Sequence, residues 1–360
     1  NLGIIKKVES KTQSVGKTFC RYKNTDKNMK KEKLKGGSLS GTYLIEDGDR
    51  KFIRKDISLI ENREYGFQRW YSQLKKLQRF SVQFPGLFPK VLEVGVDGDK
   101  AYFDMVFIEN AINAHEFLSL TTDTIIIEKF FNRFIQDLNL LHEDRIKINP
   151  SAIKLYIREE ITQRLKDCED NLSFMNFIKN DKIIFNGEEV DSFIRVKDIY
   201  DKMFEKYYQC EFETFTHGNI TLENLMYDKD RNIVYFIDPY EENIVDSILG
   251  EYSQVLQSSN SKYEIYNRGV PVVSGNSVNM EIEENFGINY FNDLFDYFLI
   301  TSPNLNENDY ISIKLLEVSQ FIRMIPFKKV VDEKMMIFFY SLASKLFKNI
   351  IEKYGSGLDN

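Results

Sequence analysis

Apolar residues recur along this chain at two spacings, and the switch from one to the other divides it. Early on the pattern is short and extended. Tyr43-Leu44-Ile45-Glu46 runs into Asp47-Gly48-Asp49 and leaves through Lys51-Phe52-Ile53-Arg54-Lys55, a strand, a turn and a strand. Ile60, Glu64, Phe67, Tyr71 and Leu74 then fall at helical spacing across residues 59–78. Residues 91–95 and 101–108 read as two further strands about the turn Asp97-Gly98-Asp99. Beyond residue 110 the spacing becomes helical over 114–142, 153–178, 310–325 and 331–354. One island of strand remains in that half: the run Ile233-Val234-Tyr235-Phe236-Ile237, preceded by the turn formers of 228–232. The expectation is an α+β chain with a β-rich N-terminal lobe holding one main helix, and a mainly helical C-terminal lobe. A length of 360 residues suffices for two modest cores.

Charge adds a third region. Residues 1–35 are dominated by Lys and Arg, with Glu9, Asp26 and Glu32 the only acids, so they read as a solvated basic arm or a docking site for an acidic partner. The expected division is therefore an arm over 1–35, a first lobe over 36–110 and a second over 111–360. The whole chain carries a formal charge of −7, which argues against a nucleic-acid partner. No apolar run reaches the roughly 18 residues of a membrane span. Cys20, Cys168 and Cys210 lack metal-ligand spacing and point to a reducing, cytoplasmic setting. The chain opens on Asn1 rather than Met, which leaves open whether it is cut from a longer protein.

The chemistry concentrates in Thr216-His217-Gly218-Asn219-Ile220-Thr221-Leu222-Glu223-Asn224 and in Asp238 at the end of the apolar run. Phosphoryl transfer needs a group that orients the attacking hydroxyl and ligands that hold Mg²⁺ on the phosphates. Catalytic loops for that reaction place the orienting acid five residues before a metal-binding amide, with a second metal ligand on a following strand. Asn219 and Asn224 keep that separation and Asp238 follows, so Asn224 and Asp238 are the candidate metal ligands. Position 219, however, holds an amide where a carboxylate is expected.

Upstream, Gly36-Gly37-Ser38-Leu39-Ser40-Gly41-Thr42 offers glycines for close backbone approach to phosphate and hydroxyls as donors, making Gly37, Ser38, Ser40 and Gly41 candidate nucleotide contacts. No Lys follows Gly41, so the segment fails as a P-loop. Alternation along the next strand puts Ile53 and Lys55 on one side, Ile53 for the base and Lys55 for the phosphates; a one-residue slip would substitute Arg54. Glu64, with Glu61 as the alternative, is the expected helical partner of Lys55.

At these residues the chain resembles the aminoglycoside phosphotransferase and choline kinase group of small-molecule kinases, whose loop reads His-Gly-Asp-x-x-x-x-Asn before an apolar strand and Ile-Asp. Bacterial members associated with surface-polysaccharide clusters are nearest. The resemblance extends from about residue 36 onward. It implies a protein-kinase-like two-lobe fold, with backbone groups around Val106 and Ile108 meeting the adenine edge, His217 within the catalytic loop and Glu251 bracing it. It also implies ATP or GTP as phosphate donor, Mg²⁺ as cofactor, and a small-molecule acceptor, a sugar among the candidates. Arg158, Arg164, Lys166 and Arg323 could contact an acidic acceptor or serve as solvated helix charge. His115 and His142 read as structural.

Asn219 limits the enzymatic reading. An amide copies the shape of a carboxylate but accepts no proton, and positioned general bases contribute about 10² to 10⁴ in rate. The expectation is a phosphotransferase acting on a hydroxyl group, impaired in the form given. The alternative is a non-catalytic nucleotide-binding pseudokinase or scaffold, and the amide itself has three explanations: an engineered aspartate-to-asparagine change that traps a complex, a natural pseudokinase, or a divergent enzyme using another base.

Overall fold

A computed structural model of the protein describes residues 29–34, 40–61, 65–149, 151–241, 243–329 and 332–355. Gly37, Ser38, Glu64 and most of the basic arm lie outside the described residues.

The N-terminal lobe is one antiparallel sheet. Strands β1 (Lys30–Lys33), β2 (Gly41–Asp47), β3 (Arg50–Ser58), β4 (Val91–Asp97) and β5 (Lys100–Val106) lie in the order β1-β2-β3-β5-β4. Both two-residue corners turn on glycine with positive φ, Gly48 and Gly98, as the Asp-Gly-Asp pattern requires. β1 extends the sheet into the basic segment, yet all four of its residues stay exposed.

Helix α1 (Tyr65–Gln83) packs on this sheet through Phe67, Trp70, Leu74 and Leu77. It begins later than the spacing suggests because the Ser58 hydroxyl accepts hydrogen bonds from the backbone N–H groups of Ile60 and Glu61 and holds them in a turn, with Ile60 exposed. Phe84-Pro85-Gly86 stops it. The Trp70 indole N–H donates to the Lys55 carbonyl at 3.3 Å, fixing α1 against β3 beside the residue that matters most.

Past Val106 the ladder ends, and the chain crosses to the second lobe through β6 (Ile112–Asn113), α2 (Ala114–Leu120) and α3 (Thr124–Leu141). The single helix expected over 114–142 is thus two. Asp123 breaks it, its carboxylate accepting from the N–H groups of Ile125 and Ile126 as an N-cap. The stretch 153–178 is also interrupted: helical over 151–166 with a π stretch at Ile157–Gln163 that buries Glu160, then turns, and a further helix at Leu172–Ile178. Helix α4 (Phe193–Tyr207) follows.

β7 (Leu225–Asp228) and β8 (Ile233–Phe236) form the expected hairpin, turning on Asn232 with φ +53°, and β6 completes the sheet beside β7. Helices α5 (Ile248–Ser259), α6 (Phe286–Thr301), α7 (Glu307–Lys328) and α8 (Glu333–Tyr354) make the lower core, with α7 packed on both α5 and α8. From Glu251 to Ser259 every residue of α5 is buried, so its polar side chains need partners inside the protein. Glu251, Gln254 and Ser258 find them on the loop 216–224, while Ser253, Gln257 and Ser259 bond Gly250, Met324 and Asn292.

Candidate functional site

Helix α5 presents Glu251, Gln254 and Ser258 at intervals of three and four residues, which puts all three on one face. The Glu251 carboxylate accepts from the backbone N–H of His217 at 2.6 Å and of Gly218 at 2.9 Å. Gln254 Oε1 accepts from Ile220 N–H at 2.9 Å while its Nε2 donates to the Gly218 carbonyl at 3.0 Å. Ser258 Oγ accepts from Leu222 N–H at 3.0 Å. A polar stripe on a buried helix therefore holds the loop by its backbone, leaving the loop's own side chains for other work. Glu251 braces the loop as expected; Gln254 and Ser258 were not anticipated, and the helix's other polar residues, Ser253, Gln257 and Ser259, hide their spacing in the sequence.

Within the loop, Gly218 adopts φ +81°, and a Cβ there would stand 2.3 Å from the Tyr240 carbonyl oxygen. Only glycine fits. His217 is wholly buried, stacked on Phe88, with Nε2 2.7 Å from the Ile237 carbonyl. Nδ1 accepts from the Asn219 N–H at 3.3 Å, so Nε2 carries the proton. Burial pushes its pKa down to about 4, and the imidazole serves as a neutral spacer between loop and strand.

Three of the candidate residues meet. Lys55, buried on β3, forms an ion pair with Asp238 across the lobes. Asp238 sits at φ +58°, a left-handed conformation that Asp tolerates better than most residues. The Ile237 N–H donates to the Asn224 carbonyl at 2.9 Å, which sets Asn224 beside Asp238. Asn224 Nδ2 donates to the Asn219 carbonyl at 2.7 Å, so its amide oxygen is the end left for a ligand. Asn219 and Asn224 are bonded across the five-residue interval that the sequence displays.

The other candidates divide. Ile53 is buried between Leu44 and Met105 on the lobe's sheet, and Arg54 points to the opposite face, where Asp104 takes it in two bonds of 2.7 and 2.8 Å. That settles the register for Lys55. Its partner on α1 among the described residues is Gln73, at 3.4 Å, and Glu64 lies outside them. Glu61 lies exposed in the turn before α1, because the helix starts at Tyr65 and brings a later position round to Lys55. Ser40 and Gly41 enter β2, where a Cβ on Gly41 would lie 2.6 Å from Asp56 Oδ1. The Val106 N–H is taken by the Lys90 carbonyl at 3.0 Å, and Phe107 and Ile108 run between the lobes past the end of the ladder.

Beyond the loop, a cleft opens between α5, α7 and the segment 153–156. Tyr156, Thr216, Gly218, Asn243, Asp246, Gln320 and Arg323 line it. It encloses about 420 Å³ out to its mouth but is narrow, with room at its base for little more than one water-sized group. Arg323 Nε donates to Glu160 at 2.8 Å and Nη1 to Gln320 at 3.2 Å. Of the cations expected near an acceptor, Arg323 alone lines the cleft; Arg158 is exposed against Glu159, Arg164 bonds Glu160, and Lys166 is exposed. Among the described residues no group of three His, Cys, Asp or Glu is placed to hold a metal.

Beneath the loop lies Glu264, fully buried, accepting from Ser258 Oγ at 2.5 Å, with Oε2 unpartnered. Burial raises its pKa from 4.5 to about 7. A carboxyl held above its unfolded value stabilises fully below about pH 4.5, and that contribution is lost as pH rises through 7. Glu264→Gln is therefore expected to stabilise the protein at pH 8 by about 1–3 kcal/mol and to leave it nearly unchanged at pH 4.5. Thermal midpoints of both chains at the two pH values check this, and an equal shift at both would refute it. His217 acts oppositely, its contribution being lost as pH falls from 6.5 through about 4.

No family model matches the sequence, and no curated protein matches it either. Solved structures similar to the chain include the choline kinase of Cryptosporidium parvum Iowa II, at 13% identity and a TM-score of 0.48, covering 93% of this chain and 91% of that one. A spectinomycin phosphotransferase in complex with ADP and spectinomycin aligns at 11% identity and a TM-score of 0.44, over 88% of this chain and 93% of that chain. An aminoglycoside-3′-phosphotransferase of type VIII aligns at 13% identity and 0.41, over 80% and 93%. These are likenesses of fold. The α+β arrangement expected from the sequence, a β-rich N-terminal lobe with one main helix above a helical lobe, is the arrangement described above.

Proposed function

We propose that the protein is a phosphotransferase that moves the γ-phosphoryl group of ATP or GTP to a hydroxyl of a small molecule. The ion pair of Lys55 with Asp238 between the lobes, with Asn224 tied to the neighbouring Ile237 behind a loop held by its backbone, is the observation that carries this reading. Lys55 would leave Asp238 to meet α- and β-phosphate oxygens. Asn224 and Asp238 offer hard oxygen donors of the kind Mg²⁺ accepts beside phosphate, and Mg²⁺ bound there would neutralise charge on the β- and γ-phosphates. Phe107 and Ile108, free of the ladder, supply backbone groups for the base.

The acceptor side favours an uncharged, hydroxylated compound such as a sugar. Arg323 is answered by Glu160, Glu251 by the loop N–H groups with His142 at 3.6 Å, and Asp246 faces the ammonium of Lys76. Among the described residues that line the cleft, the charged groups thus face partners within the protein, which leaves little for an ionic acceptor to balance.

Magnesium-dependent uptake of ATP or GTP by calorimetry is the first test, and its absence defeats the reading. Asn219 favours a second one, a nucleotide-binding protein without turnover. Replacing the amide is decisive between them: Asn219→Asp is expected to raise turnover by up to about 10², since a positioned base is restored. Intact nucleotide binding with no turnover in either chain would establish the second reading.

A further inference from the structure

We propose that Asn113 is a positioning residue for the metal-binding amide of Asn224, tying the segment between the lobes to the peptide that carries it. The inference rests on the phosphotransferase reading above. Asn113 ends β6, shortly beyond Phe107 and Ile108, and its side chain is used at both ends. Oδ1 accepts from the backbone N–H groups of His115 at 3.1 Å and Glu116 at 3.4 Å, as the N-cap of α2. Nδ2 donates to the Glu223 carbonyl at 2.6 Å. Asp, Ser or Thr would cap the helix, but among the favoured caps only Asn carries a donor on a separate atom. The presence of Asn at this position therefore answers to the second bond.

That bond falls where the brace from α5 does not reach. Glu251, Gln254 and Ser258 take backbone groups from His217 to Leu222 and go no further. Beyond them, the peptide joining Glu223 to Asn224 is planar, so holding its two polar atoms sets its orientation. Its N–H donates to the Thr221 carbonyl at 2.9 Å, and its C=O takes the Asn113 amide. The Asn224 carbonyl accepts from the Ile237 N–H and its Nδ2 donates to the Asn219 carbonyl, so fixing the preceding peptide aims the amide oxygen that remains. Arg268 also meets Glu223, but at the carboxylate and through a half-exposed side chain, which leaves the peptide itself unheld. The β6–β7 pairing sets Asn113 opposite Met226, close enough in register for this reach. Residues that orient a metal ligand matter almost as much as the ligand, and losing one costs about 10- to 100-fold in metal affinity.

The test compares the unaltered chain with Asn113→Ser, which keeps a cap but cannot reach Glu223, with Asn113→Asp, which keeps a cap and turns an oxygen toward that carbonyl, and with Arg268→Gln. Three quantities are read: hydrogen exchange of the Asn224 amide without metal or nucleotide, ATP affinity in EDTA, and the midpoint of Mg²⁺ titrated into the ATP complex. Both Asn113 variants are expected to raise the Mg²⁺ midpoint about 10-fold and to speed exchange at Asn224, with metal-free ATP affinity unchanged. Arg268→Gln should move the midpoint by no more than about twofold. An unchanged midpoint or unchanged exchange in the Asn113 variants, or an equal rise with Arg268→Gln, overturns the inference and leaves the function standing. So does a loss of metal-free ATP affinity as large as the change in Mg²⁺ midpoint, the mark of a loosened fold. An unaltered chain that takes up no ATP with Mg²⁺ removes the function and the inference together. If Asn113→Asp fails to fold, Asn113→Ser, which adds no charge, decides alone.

Discussion

Asp238→Asn is expected to cut phosphoryl transfer by about 10³ while leaving a folded protein, because it removes the carboxylate of the proposed Asn224–Asp238 donor pair and keeps the side chain's shape. Asn accepts the left-handed backbone at φ +58° as readily as Asp does, so no conformational penalty is added. Lys55 loses its counterion but keeps Gln73 and an amide oxygen, which limits the loss of stability to about 1–2 kcal/mol rather than the larger cost of a stranded buried charge. Mg-ATP titration with parallel turnover measurements tests this. Turnover within a few-fold of the parent chain would mean that Asp238 holds nothing the reaction needs.

Gly218→Ala should act through the fold. A Cβ 2.3 Å from the Tyr240 carbonyl, at φ +81°, forces either the loop or the segment after Asp238 to move. Left-handed Ala costs about 1–2 kcal/mol, and the steric displacement adds about 1–3 kcal/mol. A urea midpoint shifted by that sum is the expected result, together with weakened nucleotide binding. Gly250→Ala is the control: its Cβ would meet only Ser247 Oγ at an ordinary 3.5 Å, and within α5 the change should be neutral or stabilising by up to about 1 kcal/mol. If the two variants behaved alike, the special backbone of the loop would not be what glycine supplies.

What the sequence discloses here is local. The interval between Asn219 and Asn224, the Asp-Gly-Asp corners, the hairpin at 228–232 and the alternation that separates Arg54 from Lys55 are all contained in a few consecutive residues, and the structure places them accordingly. Partnerships between distant segments are not so contained. That Gln73 reaches Lys55 depends on where α1 begins, which a serine hydroxyl at 58 decides. That Asp246 turns into a cleft depends on Asn243 and Thr216 meeting it, thirty positions apart for the latter pair. Apolar spacing continues through 121–123, where a capping aspartate redirects the backbone, and through 157–163, where the helix widens to a π stretch with Glu160 buried.

Lys76 lies buried on α1, with burial lowering its pKa, and donates to the Tyr240 carbonyl at 2.5 Å, while the Phe236 N–H donates to the Leu87 carbonyl at 2.7 Å. Together these bonds rivet one flank of the upper lobe to the strand end that carries Asp238. Any widening of the gap between the lobes would therefore swing from that flank as a door does from its jamb, with the least travel beside Asp238 and its partner Lys55.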